Sequence, residues 1–141
     1  MNESTKAIIK ATAPILKERG EEITTAMYKR LFGNYPDAKK LFENADPDQH
    51  KKLANAVYAY AANIDKLENL SKGIEIMAQA HVKTKILPKH YPWVGESLLG
   101  AIEEVLGADV ATKEVIDAWA EAYSFLADVL IAREKELYAQ G

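Results

Sequence analysis

Residues 80–95 read AHVKTKILPKHYPWVG and hold two of the chain's three histidines. His81 follows Ile74 and Met77 at steps of three and four, so an apolar helical stripe ends on an imidazole. Pro88 and Pro92 punctuate the residues beyond it, and Tyr91 opens the next apolar segment. A buried polar group without a partner costs about 1–3 kcal/mol. His81 therefore needs a reason to lie on that stripe, and Tyr91 is a candidate for part of it.

The rest of the chain frames this stretch. Its 141 residues fit one domain, expected to span 1–141. Hydrophobic residues make up 48%, charged residues 28%, and the net charge is −3, so no basic nucleic-acid stripe is expected. Cysteine is absent, which excludes disulfides, thiolate nucleophiles, iron–sulfur clusters and cysteine-based zinc sites. The longest apolar run, AVYAYAA at 56–62, is far below the roughly 18 residues of a membrane span. The N-terminus lacks the layout of a signal peptide, and the expected compartment is the cytoplasm.

Strand-like alternation is not evident, whereas helical spacing recurs throughout. A first helix is expected from about Ser4 to just before Gly20, kinked or broken at Pro14. A second carries Ile23, Met27 and Leu31 and ends at Gly33. A turn-rich stretch, NYPDAKKLFENADPDQ, leads to a helix bearing Leu53, Val57, Tyr60 and Ile64. The His81 helix comes next. The last two helices, from Tyr91 to about Gly107 and from about Thr112 to Tyr138, should form an antiparallel hairpin. Six or seven helices result, and loops of varied length favour all-α packing at mixed crossing angles over a regular four-helix bundle.

Polar residues on apolar stripes are the informative positions. Tyr28 flanks Met27, Gln49 lies one turn before Leu53, and Glu134 continues the stripe Trp119–Tyr123–Leu126–Leu130. Each has an ordinary alternative: a core tyrosine, a solvent-facing first-turn residue, a stripe running out into water. His81 alone is compatible with a satisfied core histidine. Together they suggest one ligating imidazole, apolar walls and a few hydrogen-bond donors, the requirements of a haem site.

The stretches EITTAMYKRLF, LFENADPDQHKKLANAVYAYAANI, AHVKTKILPKHYPWVGESLLGAIEEVLG and VIDAWAEAYSFLADVLIAREKELY resemble, in order and spacing, the globin family. The resemblance is greatest to bacterial single-domain haemoglobins related to flavohaemoglobins, including the short thermoglobins. It implies an all-α globin fold of six to eight helices enclosing a pocket for haem b (iron protoporphyrin IX). His81 corresponds to the proximal iron ligand, and Phe42 to the phenylalanine against the porphyrin face. Tyr28 and Gln49 correspond to the distal pair that contacts bound oxygen, and Leu53 to the leucine that narrows the pocket. Tyr91 and Glu134 correspond to the pair that supports the proximal histidine. His50 is rotated about 100° from Gln49 and should point away from the iron. His90 falls in the loop after the His81 helix, where contact with a haem carboxylate and plain solvent exposure both stay open.

The resemblance implies reversible dioxygen binding, with nitric oxide and carbon monoxide as further ligands. A second reading is a nitric oxide dioxygenase. No strand followed by G-x-G-x-x-G marks a flavin and nicotinamide reductase, so turnover would need a separate one. A third reading is a haem-free sensor module on the same scaffold. Neither nucleic-acid binding nor membrane insertion is expected.

Overall fold

The computed structural model describes residues 1–43 and 48–140. Among the described residues six α-helices succeed one another: α1 (Glu3–Asn34), α2 (Ala38–Leu41), α3 (Gln49–Ala62), α4 (Ser71–Lys83), α5 (His90–Leu106) and α6 (Lys113–Gln140). A 3₁₀ turn, Leu67–Leu70, leads into α4. No strand occurs among the described residues.

The first two expected helices are one. Asn2 caps α1, accepting a hydrogen bond from the Thr5 N–H at 2.8 Å, and the helix runs unbroken through Pro14 and Gly20 to Asn34. Proline removes one helical donor, but Ile9, Ala13 and Leu16 around it are buried, and their packing holds the helix together. Gly20 is a contact point and not a terminator. A Cβ built there would lie 3.2 Å from the Ala54 Cβ, so the bare backbone lets α1 and α3 cross closely. The turn-rich stretch after α1 contains the short helix α2, and part of it lies outside the described residues.

α1 packs on α3, α5 and α6, and α4 packs mainly on α6. The start of α5 meets the late part of α6, as an antiparallel hairpin requires: Tyr91 bonds to Glu134, and Gly95 faces Tyr123. Thr112 Oγ1 accepts from the Val115 N–H at 3.3 Å at the α6 start, and Gly107, at φ +76°, closes α5. The principal core gathers Ile9, Leu16, Ile23, Met27, Ile64, Ile102 and Trp119. Full burial of such side chains contributes about 1.5–3 kcal/mol each. Its polar members are paired: the Tyr60 O–H donates to the Ala122 carbonyl at 2.6 Å, and the Trp119 indole N–H to Thr12 Oγ1 at 3.1 Å. A second, smaller cluster (Ala78, Tyr91, Ala127 and Leu130, joined by Met77) lies where α4, α5 and α6 meet. No helix among the described residues is long and apolar enough to cross a membrane.

Candidate functional site

One cleft has walls from α1 through α6 and encloses about 1100 Å³ of unfilled space, counting solvent at its mouth. Tyr28, Phe42, Gln49, Leu53, His81 and Tyr91 all line it. Residues separated by as much as 63 positions thus line one cleft. The seventh sequence-derived candidate, Glu134, sits behind His81.

Tyr28 is carried by α1, with Phe32 one turn later on the same face. Its ring is 5.8 Å from the Phe32 centroid and 5.3 Å, edge-on, from that of Phe42. Aromatic pairs at such distances add about 0.5–1.5 kcal/mol each and fix ring orientation. Burial pushes the Tyr28 phenol up to about 12, while the Gln49 side chain pulls the other way. The hydroxyl therefore stays protonated at neutral pH and is available as a donor. Gln49 is the first residue of α3, and Leu53 lies one turn further along the same helix. His50 lines no part of the cleft. Its Nε2 lies 3.8 Å from a Glu21 carboxylate oxygen on α1, and its carbonyl accepts from the Thr24 hydroxyl.

Across the cleft, His81 occupies the last turn of α4. Its Nδ1 is 2.9 Å from Glu134 Oε2 and 3.0 Å from the Tyr91 hydroxyl. The Tyr91 O–H donates to both Glu134 oxygens, at 2.8 and 2.7 Å. A phenol has one proton, and it is committed to the carboxylate. The Nδ1–H of His81 must then supply the other bonds, which leaves Nε2 with the ring's lone pair. That nitrogen has no hydrogen-bond partner among the described residues. Glu134 is only 3% exposed, so the stripe on α6 does not run out into water. Burial together with the neighbouring carboxylate raises the Tyr91 pKa far above its ordinary value, which keeps the phenol a donor.

Three residues beyond the sequence-derived set support this side: Tyr123 and His90 line the cleft, and Arg133 stands outside it. The Tyr123 O–H donates to the Tyr91 carbonyl at 2.6 Å, and its ring fills the space above Gly95. Its place on the Trp119–Leu126 stripe was legible, but its tie to another helix was not. His90 is the first residue of α5, buried and in the cleft wall, so neither a loop position nor solvent exposure applies. Its Nδ1 accepts from the Leu87 N–H at 2.9 Å, which pins the turn between α4 and α5. Burial, with Lys89 nearby, lowers the His90 pKa below 6.5. Arg133, next to Glu134, clasps Glu75 on α4 through three hydrogen bonds of 2.6–2.9 Å.

The donor set can be tested against the haem that the sequence resemblance implies. Among the described residues no three His, Cys, Asp or Glu gather as a side-chain metal site. One imidazole with a free lone pair, in an apolar cleft bounded by Phe42 and Leu53, instead suits a metal already held by a flat macrocycle. The residues fit the group: His81 would hold its metal, and Phe42 and Leu53 would pack on its body.

The globin family model matches residues 25–130. An uncharacterized globin-like protein of Aquifex aeolicus is 52% identical over 140 residues, covering 99% of each chain. A flavohemoprotein of Pseudomonas putida is 49% identical over 143 residues, covering 99% of this chain but 36% of the relative. The chain thus spans about a third of such flavohemoproteins. An engineered carbene transferase from Rhodothermus marinus superposes with a TM-score of 0.93 at 39% identity, covering 99% of this chain and 96% of that one. The chain belongs to the globin family.

Proposed function

We propose that this chain binds haem b and, through it, dioxygen reversibly, as a single globin domain acting in the cytoplasm. One observation carries the proposal: Tyr91 and Glu134 occupy Nδ1 of His81 and leave Nε2 free in an apolar cleft. The flavohemoprotein relatives support it. Haem held by His81 would supply an iron able to bind diatomic gases and exchange one electron.

The protein's own groups do the rest. His81 binds through Nε2, and Glu134 draws on the Nδ1 proton, making the imidazole a stronger electron donor. Tyr28, kept protonated by burial, donates to a diatomic ligand in the distal pocket, and the Gln49 amide adds a second donor. A hydrogen bond to a charged acceptor is worth about 1.5–3 kcal/mol, roughly ten- to a hundredfold in ligand dissociation. The remaining lining is largely apolar and keeps bulk water from competing for those donors.

A second reading keeps the same residues: oxidation of nitric oxide to nitrate, in which nitric oxide, dioxygen and one electron give nitrate. The Rhodothermus relative favours it, since its name assigns it provisionally to nitric oxide dioxygenases. A separate reductase would supply the electron. The test is reconstitution with haemin, oxygen equilibrium measurement, and rapid mixing of the oxygen-loaded protein with nitric oxide. Reversible binding with slow nitrate formation supports the first reading. Stoichiometric nitrate within milliseconds, and turnover with cell extract as reductant, supports the second. No Soret band after reconstitution overturns both and leaves a haem-free module.

A further inference from the structure

The cleft wall continues into an aromatic pair that the gas-binding chemistry does not use. Trp93 on α5 lines the cleft. Tyr35, the residue that closes α1, lies face to face with it, ring centroids 4.9 Å apart and planes inclined by 8°. The Tyr35 hydroxyl donates to Glu96 Oε2 at 2.5 Å in an exposed position. His90 meets Trp93 edge-on at 5.0 Å from the cleft side of α5. Two rings therefore reach from the pocket to the surface, and the outer one carries a carboxylate at its phenolic proton.

Packing alone accounts for the stack, which joins the end of α1 to α5. It does not call for a carboxylate on an exposed phenol. Electron transfer does. Tryptophan and tyrosine are among the most readily oxidised side chains, and this chain has no thiol to compete with them. A phenol that loses an electron must also lose its proton. Glu96 stands within hydrogen-bond distance to take it, and it holds the Tyr35 pKa above its ordinary value until then.

We propose that Trp93 and Tyr35 form an electron path between the haem pocket and the surface, by which the protein reduces hydrogen peroxide with electrons from phenolic compounds in solution. This rests on the haem reading above. Hydrogen peroxide takes up two electrons and two protons in the pocket, its O–O bond breaks, and two waters leave. Each electron leaves Tyr35 and crosses Trp93, while the phenolic proton moves to Glu96. A phenol in solution then returns one electron and one proton to Tyr35 and leaves as a phenoxyl radical, while the exposed Glu96 carboxyl gives its proton to solvent, from which the two protons used in the pocket are drawn. Two phenols are consumed for each peroxide.

The experiment uses the haem-loaded ferric protein, with the Soret band recorded first. The protein is mixed with one equivalent of hydrogen peroxide, frozen within seconds and examined by electron paramagnetic resonance. Spin trapping and peptide mass spectrometry locate the radical. The wild type should give a tyrosyl signal with the adduct on Tyr35. Tyr35→Phe and Trp93→Phe keep an aromatic ring at each position and should each lower the tyrosyl signal, guaiacol oxidation and guaiacol-dependent peroxide consumption at least threefold, with the Soret band of Tyr35→Phe in place. Glu96→Gln should slow radical formation while leaving the Trp93 emission spectrum, read in a Trp119→Phe background as a measure of the stack, in place. Equal radical yield in wild type and Tyr35→Phe, with no adduct on Tyr35, overturns the path. Failure to form a Soret band overturns the haem reading beneath it, a distinguishable result.

Discussion

Glu134→Gln probes the centre of the proximal arrangement with almost no change in shape. Glu134 accepts from Tyr91 at 2.7 and 2.8 Å and from His81 at 2.9 Å, and the residue is buried. A glutamine keeps an oxygen acceptor for the His81 Nδ1–H but removes the charge. Bonds to a charged acceptor are worth about 1.5–3 kcal/mol, against about 0.5–1.5 for a neutral one. The His81 bond should therefore lose about 1 kcal/mol or more. The imidazole becomes a weaker electron donor, and ferric iron loses stabilisation relative to ferrous. For a one-electron couple, about 1.4 kcal/mol corresponds to about 60 mV, so the reduction potential should rise by about 40–60 mV. Tyr91→Phe separates the contributions. The Tyr91 proton goes to Glu134, so removing the hydroxyl leaves that carboxylate a stronger acceptor for His81; this charged acceptor outweighs the neutral Tyr91 oxygen lost at 3.0 Å, and the potential should fall. Spectroelectrochemical titration reads both shifts, and the iron–histidine Raman stretch should drop in Glu134→Gln and rise in Tyr91→Phe. Potentials within about 10 mV of wild type in both folded variants would show that the network does not act on the metal through His81.

His81→Gly should lose haem, or hold it only with added imidazole, as read by the Soret band during gel filtration; retention at wild-type strength would remove His81 as the ligand. Tyr28→Phe deletes one donor hydroxyl, and stopped-flow oxygen release should accelerate about tenfold or more; an unchanged rate would shift the donor role to Gln49. Gly95→Ala places a Cβ 2.7 Å from Tyr123 Cε2, on a ring whose hydroxyl is tied to the Tyr91 carbonyl, so it should destabilise by about 1–3 kcal/mol and lower the midpoint of thermal unfolding by several degrees. His90 has a pKa lowered by burial, so below about 6.5 the unfolded chain binds a proton that the folded chain resists, and stability is lost as pH falls through that window. His90→Asn keeps an acceptor for the Leu87 N–H and removes the titration; urea titrations between about pH 5 and pH 7 should show a shallower slope than wild type.

The helical periods were legible because each stripe repeats an apolar residue every three or four positions. Met27–Leu31, Leu53–Val57 and Trp119–Tyr123–Leu126–Leu130 all face the interior at least in part. Gly20 misled because a glycine that ends a helix and one that lets two helices touch are identical in one dimension. Only Ala54, 34 positions away, tells them apart. His90 misled for a related reason: its acceptor bond to the Leu87 N–H and its Trp93 neighbour make a helix start of what reads as a loop. Tyr91 and Glu134 were legible as polar residues in apolar company. Their convergence on one nitrogen of His81, across 53 positions, depends on how α4 sits on α6, which no local pattern encodes.

The seating of α4 is set by its burial. Ala78 is its one buried residue, whereas α1 contributes eleven. Apolar area holds α1 in place, but it cannot hold α4 to the same degree. Polar clasps do much of that work: Arg133 on Glu75, the Tyr138 hydroxyl on the Ile86 carbonyl just beyond the helix, and His81 on Glu134. Arg133 and Glu75 are each about one-third exposed, so their pair is screened by water and contributes less than a buried one. The helix that presents His81 is therefore among the elements least secured by the core, and it borders the cleft through Met77 and His81. A group bound there stabilises the fold by RT ln(1 + [L]/Kd), about 2.7 kcal/mol at a hundredfold excess over Kd. Much of that stabilisation should act on α4. Ligand affinity and the position of His81 are then set together, because the same polar clasps determine both.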